Sequence, residues 1–210
     1  LKCHPKMRLM YDCSKPRVSE KDFQQYDWTD FYKYAKDELP PNMPSPRGNS
    51  VSLFVFVDAD HGGNKVDRRS QSGILIFMNR APIVWYSKRQ PSVETSTFGS
   101  EFCAMKIAVE LTEALRYKLR MFGVPLEETS GSVQPANVYC DNEAVTKNVK
   151  LPESTLKKKH HSIAYHRCRQ AVAAGVIRVA HQGTLKKLAD LFTKTLTAAR
   201  RRFLLERFTY

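Results

Sequence analysis

The chain has 210 residues, 42% of them hydrophobic, so it can bury a sizeable core and is not intrinsically disordered. Its net charge of +13 favours a polyanionic partner. No apolar run approaches the ~20 residues that a membrane-spanning helix needs. Five scattered cysteines without a C-x-x-C pair indicate free thiols in a reducing compartment. Because the first residue is Leu1, we expect the chain to be a fragment of a longer protein.

The first fifty residues differ in character from the rest of the chain. Residues 1–13 contain a strand-like stretch, and residues 14–50 are polar and irregular. The proline-rich tract at residues 40–48 can form neither a helix nor a sheet ladder, so residues 14–50 are predicted to be a linker or an insertion. Aromatic side chains within residues 22–39 predict a short surface helix that covers its own domain.

A compact domain is predicted from about Val51 to residue 196. Apolar runs predict five strands, at residues 52–58, 73–78, 82–87, 137–140 and 176–180. Helices are predicted at residues 97–122, 143–149 and 160–174, with a last helix from about residue 185 capped by Thr184 and a basic helix at residues 197–210. Strands and helices that alternate in this order indicate an α/β fold.

Four carboxylates lie on elements that a folded sheet could bring together. Asp58 and Asp141 each end a strand. Glu101 lies at the edge of the apolar stripe of the long helix, and Asp190 lies on the last predicted helix. Converging acids are stabilised by a hard divalent cation, and such a cation also catalyses phosphodiester cleavage. Taken singly, each acid could equally end a strand, cap a helix or lie on a solvated face, so the prediction rests on their order.

A succession of short motifs runs through residues 51–196. In chain order they are Val57-Asp58-Ala59-Asp60, Asp67-Arg68-Arg69-Ser70-Gln71-Ser72-Gly73, Trp85-Tyr86-Ser87-Lys88-Arg89-Gln90, Thr95-Ser96-Thr97, Ser100-Glu101-Phe102, Tyr139-Cys140-Asp141-Asn142, Lys159-His160, Tyr165-His166 and Leu188-Ala189-Asp190-Leu191-Phe192-Thr193-Lys194. This succession resembles the ribonuclease H region of copia-type retrotransposon polyproteins. Residues 1–13 resemble the tail of the reverse transcriptase in the same polyproteins. The resemblance implies a ribonuclease H-like fold, with a mixed five-stranded sheet flanked by helices.

The same resemblance implies an endonuclease that hydrolyses the RNA strand of RNA–DNA hybrids during reverse transcription. By position, the catalytic and metal-binding acids would be Asp58, Glu101, Asp141 and Asp190, holding two Mg²⁺ ions with Mn²⁺ as a substitute. His181 resembles the mobile histidine of retroviral ribonucleases H and would move a proton or assist product release. The implied partner besides the hybrid is the reverse transcriptase portion of the polyprotein. The implied location is intracellular, in cytoplasmic virus-like particles or the nucleus, and not in a membrane.

Basic side chains are the candidates for contacts with nucleic acid, because lysine and arginine displace counterions from phosphates. The candidates are Lys157, Lys158, Lys159, Lys186, Lys187 and Lys194, together with the arginines at residues 200–202 and the polar Asn142. An ordinary solvated basic surface is the alternative for each group.

Three other functions remain open at this stage. The chain could be a catalytically inactive nucleic-acid-binding module of a degenerate element that keeps the same fold. It could be a zinc-binding interaction domain that uses His160, His161, His166 and Cys168, although all four lie in one segment. An integrase-type domain would share the fold but would not match the hairpin and Leu-Ala-Asp motifs.

Overall fold

A mixed five-stranded sheet forms the centre of the computed structural model, which describes residues 7–156, 159–183 and 187–209. The strands are β1 (Leu53–Ala59), β2 (Gln71–Met78), β3 (Ala81–Arg89), β4 (Glu128–Thr129), β5 (Ser132–Val133), β6 (Ala136–Cys140) and β7 (Ile177–His181). Strands β4 and β5 form a small separate hairpin that the sequence patterns did not predict. The other strands pair in the order β3-β2-β1-β6-β7. The β3–β2 and β2–β1 pairs are antiparallel, and the β1–β6 and β6–β7 pairs are parallel. The predicted fold class is confirmed.

Helices flank this sheet. They are α1 (Thr97–Met121), α2 (Glu143–Lys150), α3 (Ser162–Ala173), α4 (Asp190–Thr193) and α5 (Ala198–Leu205), with 3-10 turns at Glu20–Asp22 and Lys159–His161. The predicted helices at residues 97–122, 143–149 and 160–174 are therefore confirmed. Among the residues that the structure describes, no helix is both long and apolar enough to cross a membrane.

The end of the chain is less helical than the sequence predicts. Helix α4 begins only at Asp190, and the predicted cap Thr184 lies outside the described residues. Lys187 and Leu188 are both buried just before α4, so tertiary contacts decide the path of the chain here. The basic C-terminal helix predicted for residues 197–210 is confirmed in its central part, as α5.

Both faces of the sheet are covered, which explains the unbroken apolar run of β1. On one face Val55 packs in a cluster with Phe102 and Met105 of α1. On the other face a smaller cluster contains Phe54, Leu75, Phe77, Leu188, Leu204 and Phe208. Successive side chains of a strand point to opposite faces, so the neighbours Phe54 and Val55 serve different clusters. The C-terminal residues are thus part of the core.

The two ends of the described chain meet at this second cluster. Leu9 forms a bridge with Thr209, and the backbone N–H of Met10 donates to the carbonyl of Phe208 at 2.9 Å. The strand-like stretch predicted within residues 1–13 is a single bridge among the residues that the structure describes.

Residues 14–50 pack against the domain. The buried Phe23 ring meets the Tyr139 ring edge-on, with the centroids 5.5 Å apart. The buried Trp28 ring lies 4.8 Å from the guanidinium carbon of Arg169 on α3. Residues 23–50, all of them described, contain turns and no helix, so the predicted surface helix is wrong. The aromatic side chains are anchored on different elements of the domain, and this does not require helical spacing.

Asp37 fastens this segment to α1 through two arginines. Its Oδ2 atom accepts hydrogen bonds from Arg116 at 2.7 Å and from Arg120 at 2.6 Å. Arg116 is only 2% exposed, and a buried charge needs such a partner because its desolvation is costly. Burial opposes ionisation of Asp37, but the hydrogen bonds and charges of the two arginines hold the pKa of its carboxyl below the usual value.

We predict that Asp37→Ala lowers the free energy of unfolding by about 3–5 kcal/mol, because it leaves a buried guanidinium without its counter-ion. Urea unfolding followed by circular dichroism measures this change. Asp30→Ala, seven residues earlier and exposed, is the matched control and should change stability by less than about 0.5 kcal/mol. Equal stability of both variants would contradict the role of Asp37.

The contribution of Asp37 should also depend on pH. Its pKa is lower in the folded chain than its ordinary value of 3.8, so the ion pair is fully present above that value. The stability is lost as the pH falls through the folded pKa and the carboxylate is protonated. Unfolding curves of the wild type and of Asp37→Ala should therefore converge at acidic pH and separate toward neutrality. A stability difference between the two proteins that does not change with pH would contradict this prediction.

Candidate active site

The four predicted acids lie at one edge of the sheet, two of them at strand ends and two on helices. Asp58 is near the end of β1 and Asp141 directly follows β6, and the parallel pairing of these strands sets both at the same edge. Glu101 is in the second turn of α1, which packs on β1, and Asp190 opens α4. Asp58 is fully buried and Glu101 is 3% exposed.

The ammonium group of Lys187 marks the point at which the four acids meet. Lys187 Nζ donates to Asp58 Oδ1 and lies 2.6 Å from Asp141 Oδ2. It is also 3.9 Å from Glu101 Oε1 and 4.0 Å from Asp190 Oδ1. One cation therefore contacts all four carboxylates, and the structure brings together the whole set that the sequence singled out.

Burial and charge act in opposite directions on these acids. Burial disfavours the charged form of Asp58, but Lys187, Thr193 and Lys194 together hold the pKa of its carboxyl below the usual value. Burial raises the pKa of Glu101 to about 8, with Lys187 opposing this shift and the nearby carboxylates adding to it. The cluster therefore favours ionised Asp58 and protonated Glu101 when Lys187 is its cation.

The structure corrects the predicted position of Lys187. The sequence placed this residue among the surface contacts to phosphate, yet it is 3% exposed and enclosed by the acids. Burial alone would lower its pKa, but the carboxylates of Asp58 and Glu101 raise it, so the ammonium form is stabilised. The physical reason is that buried carboxylates attract the nearest cation that the chain can supply.

The remaining candidates for nucleic-acid contacts are distributed as follows. Lys194 is half-exposed and pairs with Asp190 at 2.7 Å. Asn142 caps α2 by accepting from the backbone N–H of Val145 at 3.1 Å. Lys159 is exposed in the 3-10 turn before α3. Lys157, Lys158 and Lys186 lie outside the described residues.

His181 ends strand β7 beside the acid cluster. It pairs with Cys140 across the parallel β6–β7 ladder, and its Nε2 atom lies 3.0 Å from the carbonyl oxygen of Asp141. The side chain is exposed, so a ligand bound over the acids could reach it.

Two residues that were not predicted as site residues hold the acids in place. Thr193 of α4 donates its hydroxyl to Asp58 Oδ2. Gly73 of β2 lets α4 approach, because a Cβ atom there would lie 2.6 Å from Thr193 Cγ2 and 2.9 Å from the carbonyl oxygen of Ala189. A glycine within an apolar strand indicates such a close approach, and this signal was available in the sequence.

The donor set fits a hard divalent cation. Carboxylate oxygens of Glu101 and Asp141 lie within 4.8 Å of each other, and such oxygens are the preferred ligands of Mg²⁺. The thiol of Cys140 belongs to the same group, but burial raises its pKa and sulfur does not suit a hard cation. Asp58 and Asp190 are in reach of the same central point, as their contacts with Lys187 demonstrate. A bound cation would take over the charge balance that Lys187 provides.

The structure does not assemble the four residues of the zinc alternative. His166 Nδ1 is hydrogen-bonded to the hydroxyl of Tyr32 at 2.7 Å. Cys168 is fully buried, and this burial raises the pKa of its thiol. Only His160 and His161, which are adjacent in the chain, share a candidate metal cluster within the described part of the chain.

Comparisons with known proteins agree with this architecture, although no family model matches the chain. The retrovirus-related Pol polyproteins from transposons RE1 and RE2 of Arabidopsis thaliana are 32% and 31% identical over 151 residues, 72% of this chain. The chain spans about a tenth of the length of these curated relatives, 10% in both cases. A solved ribonuclease H1 isolated from compost is 15% identical and has a TM-score of 0.51, covering 68% of this chain and 92% of that one. This likeness shows the fold.

We predict that Lys187→Gln lowers stability in the absence of divalent cations by about 3–5 kcal/mol, because four acids lose their shared cation. Mg²⁺ should restore more stability to the variant than to the wild type, since it no longer competes with an internal ammonium. Thermal unfolding with and without Mg²⁺ measures both effects. Lys118→Gln, an exposed lysine of α1, is the control, and an equal Mg²⁺ response in all three proteins would contradict the prediction.

Proposed function

We propose, from the premise that this chain belongs to the Pol polyproteins of copia-type retrotransposons, that it is their ribonuclease H and cleaves the RNA strand of RNA–DNA hybrids. The observation that carries the proposal is the convergence of Asp58, Glu101, Asp141 and Asp190 on one point. The test is Mg²⁺-dependent cleavage of the RNA strand of a hybrid by the purified chain, with Mn²⁺ as a substitute. Intact RNA after incubation with both metals would refute it.

The four acids would act by holding cations against the scissile phosphate. Two Mg²⁺ ions bound there would supply an activated water and stabilise the leaving 3′-oxygen. The buried Asp58 and Glu101 would form the inner wall of the site, and Asp141, whose side chain is more exposed, would face the hybrid. Hydrogen bonds from Thr193 to Asp58 and from the Ala59 backbone to Glu101 hold the inner carboxylates in place.

Binding of the hybrid would rest on the positive charge of the chain. Lysine and arginine side chains neutralise phosphates, so a net charge of +13 supports affinity that falls steeply with salt. Lys194, Lys159 and Asn142 are candidates for these contacts among the residues that the structure describes. Recognition of the RNA strand would use its 2′-hydroxyl groups, which line the shallow minor groove.

The reverse transcriptase portion of the same polyprotein would deliver the hybrid that it synthesises. The site of action would be intracellular, in cytoplasmic virus-like particles or in the nucleus.

A catalytically inactive nucleic-acid-binding module is the second candidate. The position of Lys187 favours it, because its ammonium group places a positive charge among the acids without any metal. In that case the chain would bind hybrids, and neither Mg²⁺ nor Mn²⁺ would lead to cleavage. The cleavage assay above therefore separates the two functions.

We predict that Asp141→Asn lowers the rate of RNA cleavage by at least ~100-fold, as the loss of one electrostatic stabiliser does in other active sites. Hybrid binding should remain or become slightly tighter, because the variant removes a negative charge that repels phosphate. Gel assays of cleavage and fluorescence anisotropy measure the two properties. Asp22→Asn, which changes an exposed acid in the turn at Glu20–Asp22, is the matched control. Parallel loss of binding and cleavage would assign Asp141 a structural role.

We predict that His181→Ala lowers kcat by up to roughly 10²-fold, the lower end of the range for a positioned acid–base group. The Mg²⁺ concentration for half-maximal rate should not change, because His181 contacts the Asp141 backbone and not the carboxylates. Steady-state kinetics at several Mg²⁺ concentrations measure both quantities. A wild-type rate would exclude a role in turnover, and a large rise in required Mg²⁺ would make His181 part of the metal shell.

A further inference from the structure

A second cluster of metal-ligating side chains lies at the other side of the first turns of α1. It consists of Glu94 in the loop before α1 and of His160 and His161 in the 3-10 turn before α3. One donor atom from each lies within 4.8 Å of the other two, and His161 Nε2 is 3.7 Å from Glu94 Oε2. None of these residues belongs to the acid cluster around Lys187.

We propose that Glu94, His160 and His161 form a zinc site. Zinc binds imidazole nitrogen and carboxylate oxygen at about 2.0–2.2 Å, so ligands in one tetrahedral shell lie roughly 3.3–3.6 Å apart. The 3.7 Å separation of the Glu94 and His161 atoms needs only a small closure to reach this spacing. Two histidines and one glutamate leave a fourth position for water, an arrangement that zinc accepts.

Gly99 lets two of the ligands pack closely against the start of α1. A Cβ atom at Gly99 would lie 2.5 Å from His161 Cε1 and 2.6 Å from Glu94 Oε2, so a larger residue at this position would push both side chains away. The thiol of Cys103 donates to Glu94 Oε1 at 3.4 Å, which orients the other oxygen, Oε2, toward His161.

Burial distinguishes the ligands by role. His161 is buried, with a side-chain exposure of 2%, and Glu94 is partly buried, with a side-chain exposure of 9%. His160 is exposed, so an ion could reach the cluster from solvent past its side chain. The two imidazole rings lie close, with centroids 3.9 Å apart. The ion would bind at the nitrogen atoms on the ring edges, with His161 and Glu94 on the protein side and His160 on the solvent side.

The two metal clusters differ in donor chemistry. The acid cluster offers oxygen atoms that suit Mg²⁺, whereas imidazole ligands select zinc and related transition metals. Glu94 and Glu101 flank the first turn of α1, so an ion at the histidine cluster would join the start of α1 to the start of α3. Zinc would then stabilise the helix end that positions Glu101, without taking part in the chemistry at the acids.

Isothermal titration of the metal-stripped full chain with Zn²⁺, in excess Mg²⁺ to occupy the acid cluster, tests the proposal. We expect one saturable site and a zinc-dependent rise in Tm. His160→Ala changes an exposed ligand and should weaken zinc binding by at least about tenfold, the scale on which altered ligand shells act. Glu94→Gln, which keeps the size of the side chain, should have the same effect.

His166→Ala is the matched control, because His166 lies on α3 close in sequence but pairs with Tyr32. It should bind zinc as the wild type does. The proposal would be overturned if the wild type showed no saturable zinc site, or if His160→Ala and Glu94→Gln retained wild-type affinity. These measurements do not depend on nuclease activity, so they stand or fall separately from the proposed function.

Discussion

Four carboxyl groups that converge in a nearly dry pocket cannot ionise together without a positive charge among them. The pocket at the end of β1 meets this constraint with the ammonium group of Lys187, which contacts all four acids. Burial makes the constraint severe, because neither water nor salt screens charges effectively there. The path of the chain before α4 follows from it, since Lys187 must reach inward while the next residue, Leu188, fills the hydrophobic cluster on the other face of the sheet.

Under the proposed function, this site would have two states, one with Lys187 and one with divalent cations among the acids. In the structure, Lys187 occupies the point at which the acids meet, and Lys194 adds a second positive charge beside Asp58 and Asp190. With divalent cations inside, the same acids would present positive charge to a phosphodiester, and Lys187 would be free to move outward. The competition between these states is an equilibrium whose position depends on metal concentration.

Much of the fold could be predicted because its elements have local signatures. The apolar run of β1 and the spacing along α1 are visible in single segments, and Asp58 and Asp141 could be placed at strand ends for the same reason. The buried position of Lys187 could not be predicted in this way, because its partner Asp58 lies 129 residues earlier in the chain. A lysine beside other lysines is typical of a solvated surface. Lys187 is buried because it pairs with acids that only the fold brings together.

The segment before β1 illustrates the same limit. Its composition indicates a linker, yet Trp28 packs under Arg169, and Asp37 neutralises Arg116. Arg169 and Arg116 lie in α3 and α1, far along the chain, so no local sequence pattern predicts these contacts. The arginines themselves were the available clue, because Arg116 lies on the core-facing side of a helix and a charge in that position requires a counter-ion from elsewhere.

The bridge between Leu9 and Thr209 brings the beginning and the end of the described chain to one place on the surface. Polypeptide attached at either end would leave the domain from neighbouring positions. Flanking domains in a longer chain would then be held near each other, with little extra loop-closure entropy, as if the domain between them had been inserted into a single loop. The geometry also favours circular permutation, in which the two ends are joined by a short linker and the chain is opened at another exposed turn.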